Sequence, residues 1–530
     1  MHRDDFDSQT SIRTGCCPCG CAQGARPAGT TRREFLSNAG ALGLLGTALT
    51  GLSWSTVSAA EQEVATAPQR RPLVVKPIFT YPQPERRPQT SWRNWGGIQS
   101  AEDVQAEVAR IEGELRQLKQ TADFPLEFLP LATVRRPEEL APHNADIQRA
   151  EAVLFYAGGD GGGNLMANVN HIDGLGKHVI FFVRHRNGPL YYWYEGAMAR
   201  FLHQHTDQLA TKSVGYEDVV VDRLDEVLWR LRALCGLHNT LGSRILAVGG
   251  PGGWAQPRGV IPELARQRWQ LDIQTVAYDE LDGLIRAARD DQHAVEQACQ
   301  RAEAYLQGPG TTLETERQFV DQAFLLEQVF RQLLARADCR ALTINSCMGT
   351  IMPKAETTAC LALSLLNDAG YLAFCESDFV VIPAGILLAN ISGRPVFLND
   401  PTYPHEGLIT LAHCTAPRRM DGESLAPARI MTHFESDYGA APKVEMPLGQ
   451  TLTNIIPDFQ AERWTGLRGK VEACPLLPIC RSQIDIRYEC PDDVLARHMP
   501  GFHWMTGYGD QLREIGYALK KVSIGWDCLG

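Results

Sequence analysis

Up to about residue 390 this chain of 530 residues alternates short apolar runs with helix-length amphipathic stretches, and after Asn390 the alternation stops. The first texture is that of α/β layers. A buried parallel strand reads as a short run of branched and aromatic residues, and its crossover reads as a helix. The second texture is short strands broken by Pro and Gly, the pattern of an antiparallel sheet or barrel. With 44% apolar residues the chain is also too long for a single core. The expected fold class is therefore α/β: two Rossmann-like α/β domains followed by a mainly antiparallel β C-terminal domain.

In the first unit Ala152 to Tyr156, His178 to Val183 and Asp218 to Val221 read as strands. Ala101 to Thr121 reads as an amphipathic helix, with Val104, Val108, Ile111, Leu115 and Leu118 at helical spacing. The pattern restarts at Ser243 to Val248 and runs through Ala341 to Ile344 and Tyr371 to Phe374. These boundaries give an N-terminal α/β domain over 101–240, a second over 241–392 and a β-rich domain over 393–530. Residues 61–100 are rich in Pro, Arg and Gln and read as a linker or arm.

Residues 1–60 read as a twin-arginine signal peptide. Arg32 and Arg33 precede a weakly apolar run from Ala39 to Leu52, and Val57-Ser58-Ala59 offers a small-residue cleavage point. That run is too short and Gly-rich for a stable membrane span. The expectation is export by the twin-arginine translocase to a periplasmic or other extracytoplasmic location. Cys16, Cys17, Cys19 and Cys21 would leave with the leader. Cys474, Cys480 and Cys490 fall in a loop-rich segment and are the better disulfide candidates in an oxidising compartment. The formal charge of −11 argues against a nucleic-acid partner, which selects for a basic face.

Two glycine loops, Gly158 to Gly163 and Gly249 to Gly253, follow strands. Neither has the spacing of a dinucleotide-binding or Walker loop, so tight turns or substrate-facing loops are expected. Asp160 and Asn164 in the first could touch a polyol. The aromatic run Tyr191-Tyr192-Trp193-Tyr194 reads as core or interface packing before sugar stacking.

The chemistry concentrates further on. Glu376 lies between Leu372-Ala373-Phe374-Cys375 and Val380-Val381-Ile382, and Asp400 follows Pro395-Val396-Phe397-Leu398. A carboxylate in apolar company needs a cation, a hydrogen-bond set or a proton. Asp378, His405, His413 and His503 are the polar groups that could share such a site. One divalent cation satisfies both carboxylates together, with imidazole help.

Cys375-Glu376-Ser377-Asp378, Gly393 to Asp400, Leu411-Ala412-His413-Cys414 and Gly501-Phe502-His503 resemble the L-fucose isomerase and L-arabinose isomerase superfamily. Asn345 to Gly349, Cys360 to Ser364 and Leu366 to Gly370 match its approach to the first metal-binding Glu. The resemblance implies Glu376 and Asp400 as metal ligands and proton-transferring pair, His503 as a third ligand and His413 as a further one. It implies Mn²⁺ or a similar divalent cation, a sugar substrate isomerised between aldose and ketose through an enediol, and a homo-trimer or homo-hexamer. A non-catalytic exported sugar-binding protein, and a metal-dependent epimerase or lyase, are the alternatives.

Overall fold

The computed structural model describes residues 67–530 apart from Gln83, 94–96, 160–163, Tyr192, 211–213 and Arg258. The leader motif at Arg32 and Arg33, the leader cysteines and Asp160 lie outside the described residues.

The first sheet holds β1 (Leu73–Thr80), β2 (Leu126–Phe128), β3 (Ala132–Val134), β4 (Ala152–Ala157), β5 (His178–Val183) and β6 (Val219–Val221). Its order is β2-β1-β4-β5-β6, with β3 also on β1, and every pairing is parallel. This is a doubly wound arrangement, with crossovers on both sides of the first strand. β1 corrects the expected linker or arm over 61–100. Its Leu73, Val75, Ile78 and Phe79 are wholly buried between two neighbouring strands. Lys76 breaks the apolar run in the sequence, yet its ammonium is also buried and is satisfied by Asp146 at 2.8 Å and the Pro130 carbonyl at 2.7 Å. Of the aromatic run, Tyr191 joins the same core, buried and donating its hydroxyl to Glu107 at 2.6 Å, whereas Tyr194 is exposed.

The second sheet is built from β7 (Arg244–Val248), β8 (Asp272–Val276), β10 (Ala341–Ile344) and β11 (Leu372–Phe374), in the order β11-β10-β7-β8 and again wholly parallel. β9 (Thr311–Glu314) leaves this sheet and pairs with β14 (Ala428–Met431), which in turn pairs with β15 (Ala441–Val444).

Beyond residue 393 the texture change is real. β12 (Phe397–Pro401), β13 (Leu408–His413), β16 (Thr451–Ile456), β17 (Arg463–Ala473), β18 (Ser482–Arg487) and β19 (Trp504–Tyr508) form one antiparallel sheet. Its order, β16-β19-β12-β13-β18-β17, closes on itself through β16 and β17, so it is a barrel. β20 (Gly525–Leu529) adds in parallel outside the ring. No edge is left along most of its circumference, the usual solution for short strands. The protein is thus mixed α/β with parallel Rossmann-like sheets and a C-terminal antiparallel barrel.

One helix joins the second sheet to the barrel. Ile382–Ser392 is apolar all round because it is packed on all sides, and its residues 382–391 are all buried. A Cβ on Gly385 would stand 2.6 Å from both Phe374 of β11 and Met505 of β19. The turn that precedes this helix carries Glu376. Among the described residues no helix is long and apolar enough to cross a membrane.

Candidate metal centre

Glu376 is held in an unfavourable backbone conformation. It and Ser377 both lie in the left-handed region, with φ of 65° and 48°. Such residues cost about 1–3 kcal/mol each and persist only where the surroundings impose them. Here the imposing partner is the second glycine loop. The Gly252 amide donates to the Ser377 carbonyl and the Phe379 amide to the Gly252 carbonyl, each at 3.1 Å. Thr343 of β10 accepts from the Ser377 amide at 3.1 Å. The glycine loop thus acts as a backbone splint for the acidic turn.

The barrel supplies the other three residues by strand register. β12 lies between β13 and β19. Asp400 pairs with Ala412, one residue from His413, and Asn399 pairs with Trp504, one residue from His503. Strand pairing therefore brings together residues that lie far apart along the chain.

The four side chains converge. His503 Nε2 is 3.2 Å from Asp400 Oδ1 and 3.4 Å from Glu376 Oε2, and His413 Nε2 is 3.7 Å from Glu376 Oε1. Ligand atoms of Asp400, His413 and His503 all lie within 4.8 Å of one another. Glu376 Oε2, Asp400 Oδ1, His413 Nε2 and His503 Nε2 are each enclosed and lack a hydrogen-bond partner. Orphaned buried polar atoms are rare, and four facing one point call for a shared partner. The carboxylates keep 27% and 23% of their side-chain surface, while both imidazoles are sealed from behind. The site therefore opens on its carboxylate side.

Asp378 completes the geometry. Its Oδ2 accepts from His503 Nδ1 at 2.8 Å, and its Oδ1 accepts from the amides of Trp254 and Val380, both at 3.1 Å. With the proton on Nδ1, the lone pair of Nε2 faces the two carboxylates. Three lone-pair atoms at this separation repel unless a proton or cation stands among them.

The electrostatics express the same demand. Burial works against the charge on His503, but Asp378 and Glu376 outweigh it and push its pKa up to about 10. Burial would raise Glu376, yet His413 and His503 hold it well below the usual carboxylate range. Burial pushes Asp400 up to about 6 against the pull of His413 and His503, with Glu376 adding to the rise. The donor set of two carboxylates and two imidazoles suits a divalent cation.

All four sequence-derived ligands, Glu376, Asp400, His413 and His503, thus stand together. His405 does not join them; it is exposed and bonds the Tyr403 carbonyl. Two aromatic residues at the mouth had no signal in the sequence. Trp254 stacks on Phe502 at 4.5 Å and meets His503 edge-on at 5.5 Å, and both Trp254 and Phe502 are substantially exposed. Cys474, Cys480 and Cys490, expected as disulfide candidates, each carry a free thiol. No protein-family model matches the chain, and no curated protein matches it in sequence.

Proposed function

We propose that this protein is a metal-dependent aldose–ketose isomerase acting on a sugar, exported by the twin-arginine route and assembled as a homo-trimer or homo-hexamer. The observation that carries the proposal is the convergence of four buried, unpartnered ligand atoms from Glu376, Asp400, His413 and His503 at one open-sided point. The motif resemblance around Glu376 and Asp400 supports the reaction class, and the Arg32-Arg33 leader supports export.

A divalent cation held by these four residues, Mn²⁺ by preference, would supply Lewis acidity toward adjacent sugar oxygens. The protein's own part is proton transfer. One of Glu376 and Asp400 takes the proton from the carbon beside the aldehyde, and a proton is returned to the former carbonyl carbon, so the enediol collapses to the ketose. Glu376 is held low and Asp400 is raised, which suits a division between base and acid. The Trp254–Phe502 stack offers the apolar face of a sugar ring a flat wall beside the carboxylates.

The test is a panel of aldoses incubated with the purified protein and Mn²⁺, with ketose as the readout. Ketose from at least one aldose is expected, lost in Glu376→Gln and in Asp400→Asn. Metal-loaded protein that turns over no aldose, yet binds sugar, would replace the proposal with the exported binding protein. An epimer or a cleavage product would replace it with related enediolate chemistry.

A further inference from the structure

A second set of ligand-type atoms lies behind the first and contains no oxygen. Cys360 opens the helix Ala359–Asp368, Cys414 follows His413 at the end of β13, and His433 follows β14. One ligand atom from each lies within 4.8 Å of the other two. All three are buried, at 5%, 2% and 6% exposure. Cys480 packs against the pair of thiols, and its own thiol is in hydrogen-bond contact with that of Cys414.

A buried cysteine by itself is a small hydrophobe. The histidine is what apolar packing leaves unexplained. Its Nδ1 is enclosed without a geometric hydrogen-bond partner, and the polar group the ring interacts with is the Cys414 thiol, itself a ligand-type sulfur. The loop bearing it is built to hold still, since the His433 amide donates to the Tyr438 carbonyl at 3.0 Å and the Asp437 amide to the His433 carbonyl at 3.0 Å.

We propose that Cys360, Cys414 and His433, with Cys480 closing the set, bind a soft divalent cation of the zinc class. Three sulfurs and one imidazole are the donor composition that structural zinc sites use, three of them already mutually close and Cys480 adjoining Cys414. Its softness is opposite to that of the Glu376, Asp400, His413 and His503 set, so the two centres select different ions. Each thiol that ligates gives its proton to solvent.

The position of this site gives it a purpose. Its ligands come from a helix start, a barrel strand and two loops, and Cys414 adjoins His413. An ion there would tie the strand end that aims His413 to the helix Ala359–Asp368. That helix start is already stitched to the residue before β15 by Thr358 Oγ1 and the Leu361 amide, which both donate to the Ala440 carbonyl.

The experiment uses the full chain purified without chelator. Elemental analysis should find zinc in stoichiometric amount, and a mercurial reagent that blocks thiols should release it to a chromogenic chelator. The same zinc should remain in the double variant Glu376→Gln, Asp400→Asn, which separates this site from the proposed isomerase centre. Replacing zinc by cobalt should produce an intense near-ultraviolet sulfur-to-cobalt band that Cys360→Ser abolishes. Should that variant fail to fold, mercurial release from the unmodified protein decides the matter. Protein without thiol-dependent metal, or a non-reduced peptide map joining Cys414 to Cys360 or Cys480 as a disulfide, would overturn the proposal.

Discussion

Asp378 decides which nitrogen of His503 faces Glu376 and Asp400. It is 125 positions away in the chain, it is buried, and its remaining oxygen is occupied by two backbone amides. With Oδ1 holding the turn, Oδ2 is left to accept the Nδ1–H hydrogen bond, which leaves Nε2 facing the carboxylates. Replacing it by Asn weakens that hydrogen bond and lets the ring turn. Asp378→Asn should lower Mn²⁺ affinity about 10–100-fold, measured by competition with a coloured chelator, while the unfolding midpoint stays close to that of the parent. Unchanged affinity would reduce Asp378 to packing. At the mouth, Trp254→Ala should raise KM for sugar more than it lowers kcat if the Trp254–Phe502 stack is the sugar-facing wall proposed above, set beside the carboxylates and apart from the reacting carbons. Equal losses in kcat and kcat/KM would place it in the chemistry instead. Glu376 and Asp400 were readable in the sequence because a carboxylate flanked by buried runs stands out. Trp254 was not, since an aromatic residue in a glycine loop looks the same whether it faces solvent, core or substrate.

At the level of elements, close packing between helices sets the frame in which the site sits. Helix Leu224–Thr240 of the first unit crosses Ile382–Ser392 so tightly that a Cβ on Gly236 would stand 2.2 Å from Ile391 Cγ1 and 3.0 Å from its backbone. The backbone cannot swing away as a side chain can. Gly236→Ala should therefore cost about 1–3 kcal/mol in a urea melt, despite alanine's better helix propensity. A gain in stability would mean that the crossing is loose. The ion cluster at Arg184 makes a similar link between helix Ala101–Thr121 and β5. Its guanidinium is 1% exposed and reaches Glu107 at 2.5 Å and Glu114 at 2.8 Å. Arg184→Met would leave Glu107 buried without its cation, so a loss of about 3–5 kcal/mol is expected; a loss below 1 kcal/mol by the same melt would mean that water reaches Glu107. Elements of this kind were legible where burial is uniform, as in Ala341–Ile344. They were hidden where one buried charge interrupts the pattern, as Lys76 does in β1, and where an amphipathic strand is read as loop, as in Ser482–Arg487.

At the scale of the whole molecule, the C-terminal helix Leu512–Lys521 is what returns the barrel to the first sheet. Tyr517 and Lys521 both reach Asp218 at 2.6 Å, and Arg232 reaches Glu514 at 3.1 Å. No local pattern reveals a partner 303 positions away. The same seam contains His178, at the start of β5. Burial pushes its pKa down to about 4, and Lys521, His238 and Lys177 add to the fall. The native state therefore keeps this imidazole neutral where the unfolded chain, with a pKa near about 6.5, takes up a proton. Unfolded protein binds more protons throughout that window, so stability is complete above about pH 6.5 and is lost as the pH falls toward 4. The partial exposure of the ring limits the effect to about 1–3 kcal/mol. Urea midpoints measured across this range should decline with acidification, and His178→Gln should flatten the part of the decline that lies between the two pKa values. A variant whose profile runs parallel to that of the parent would show that groups other than His178 carry the acid sensitivity of the seam.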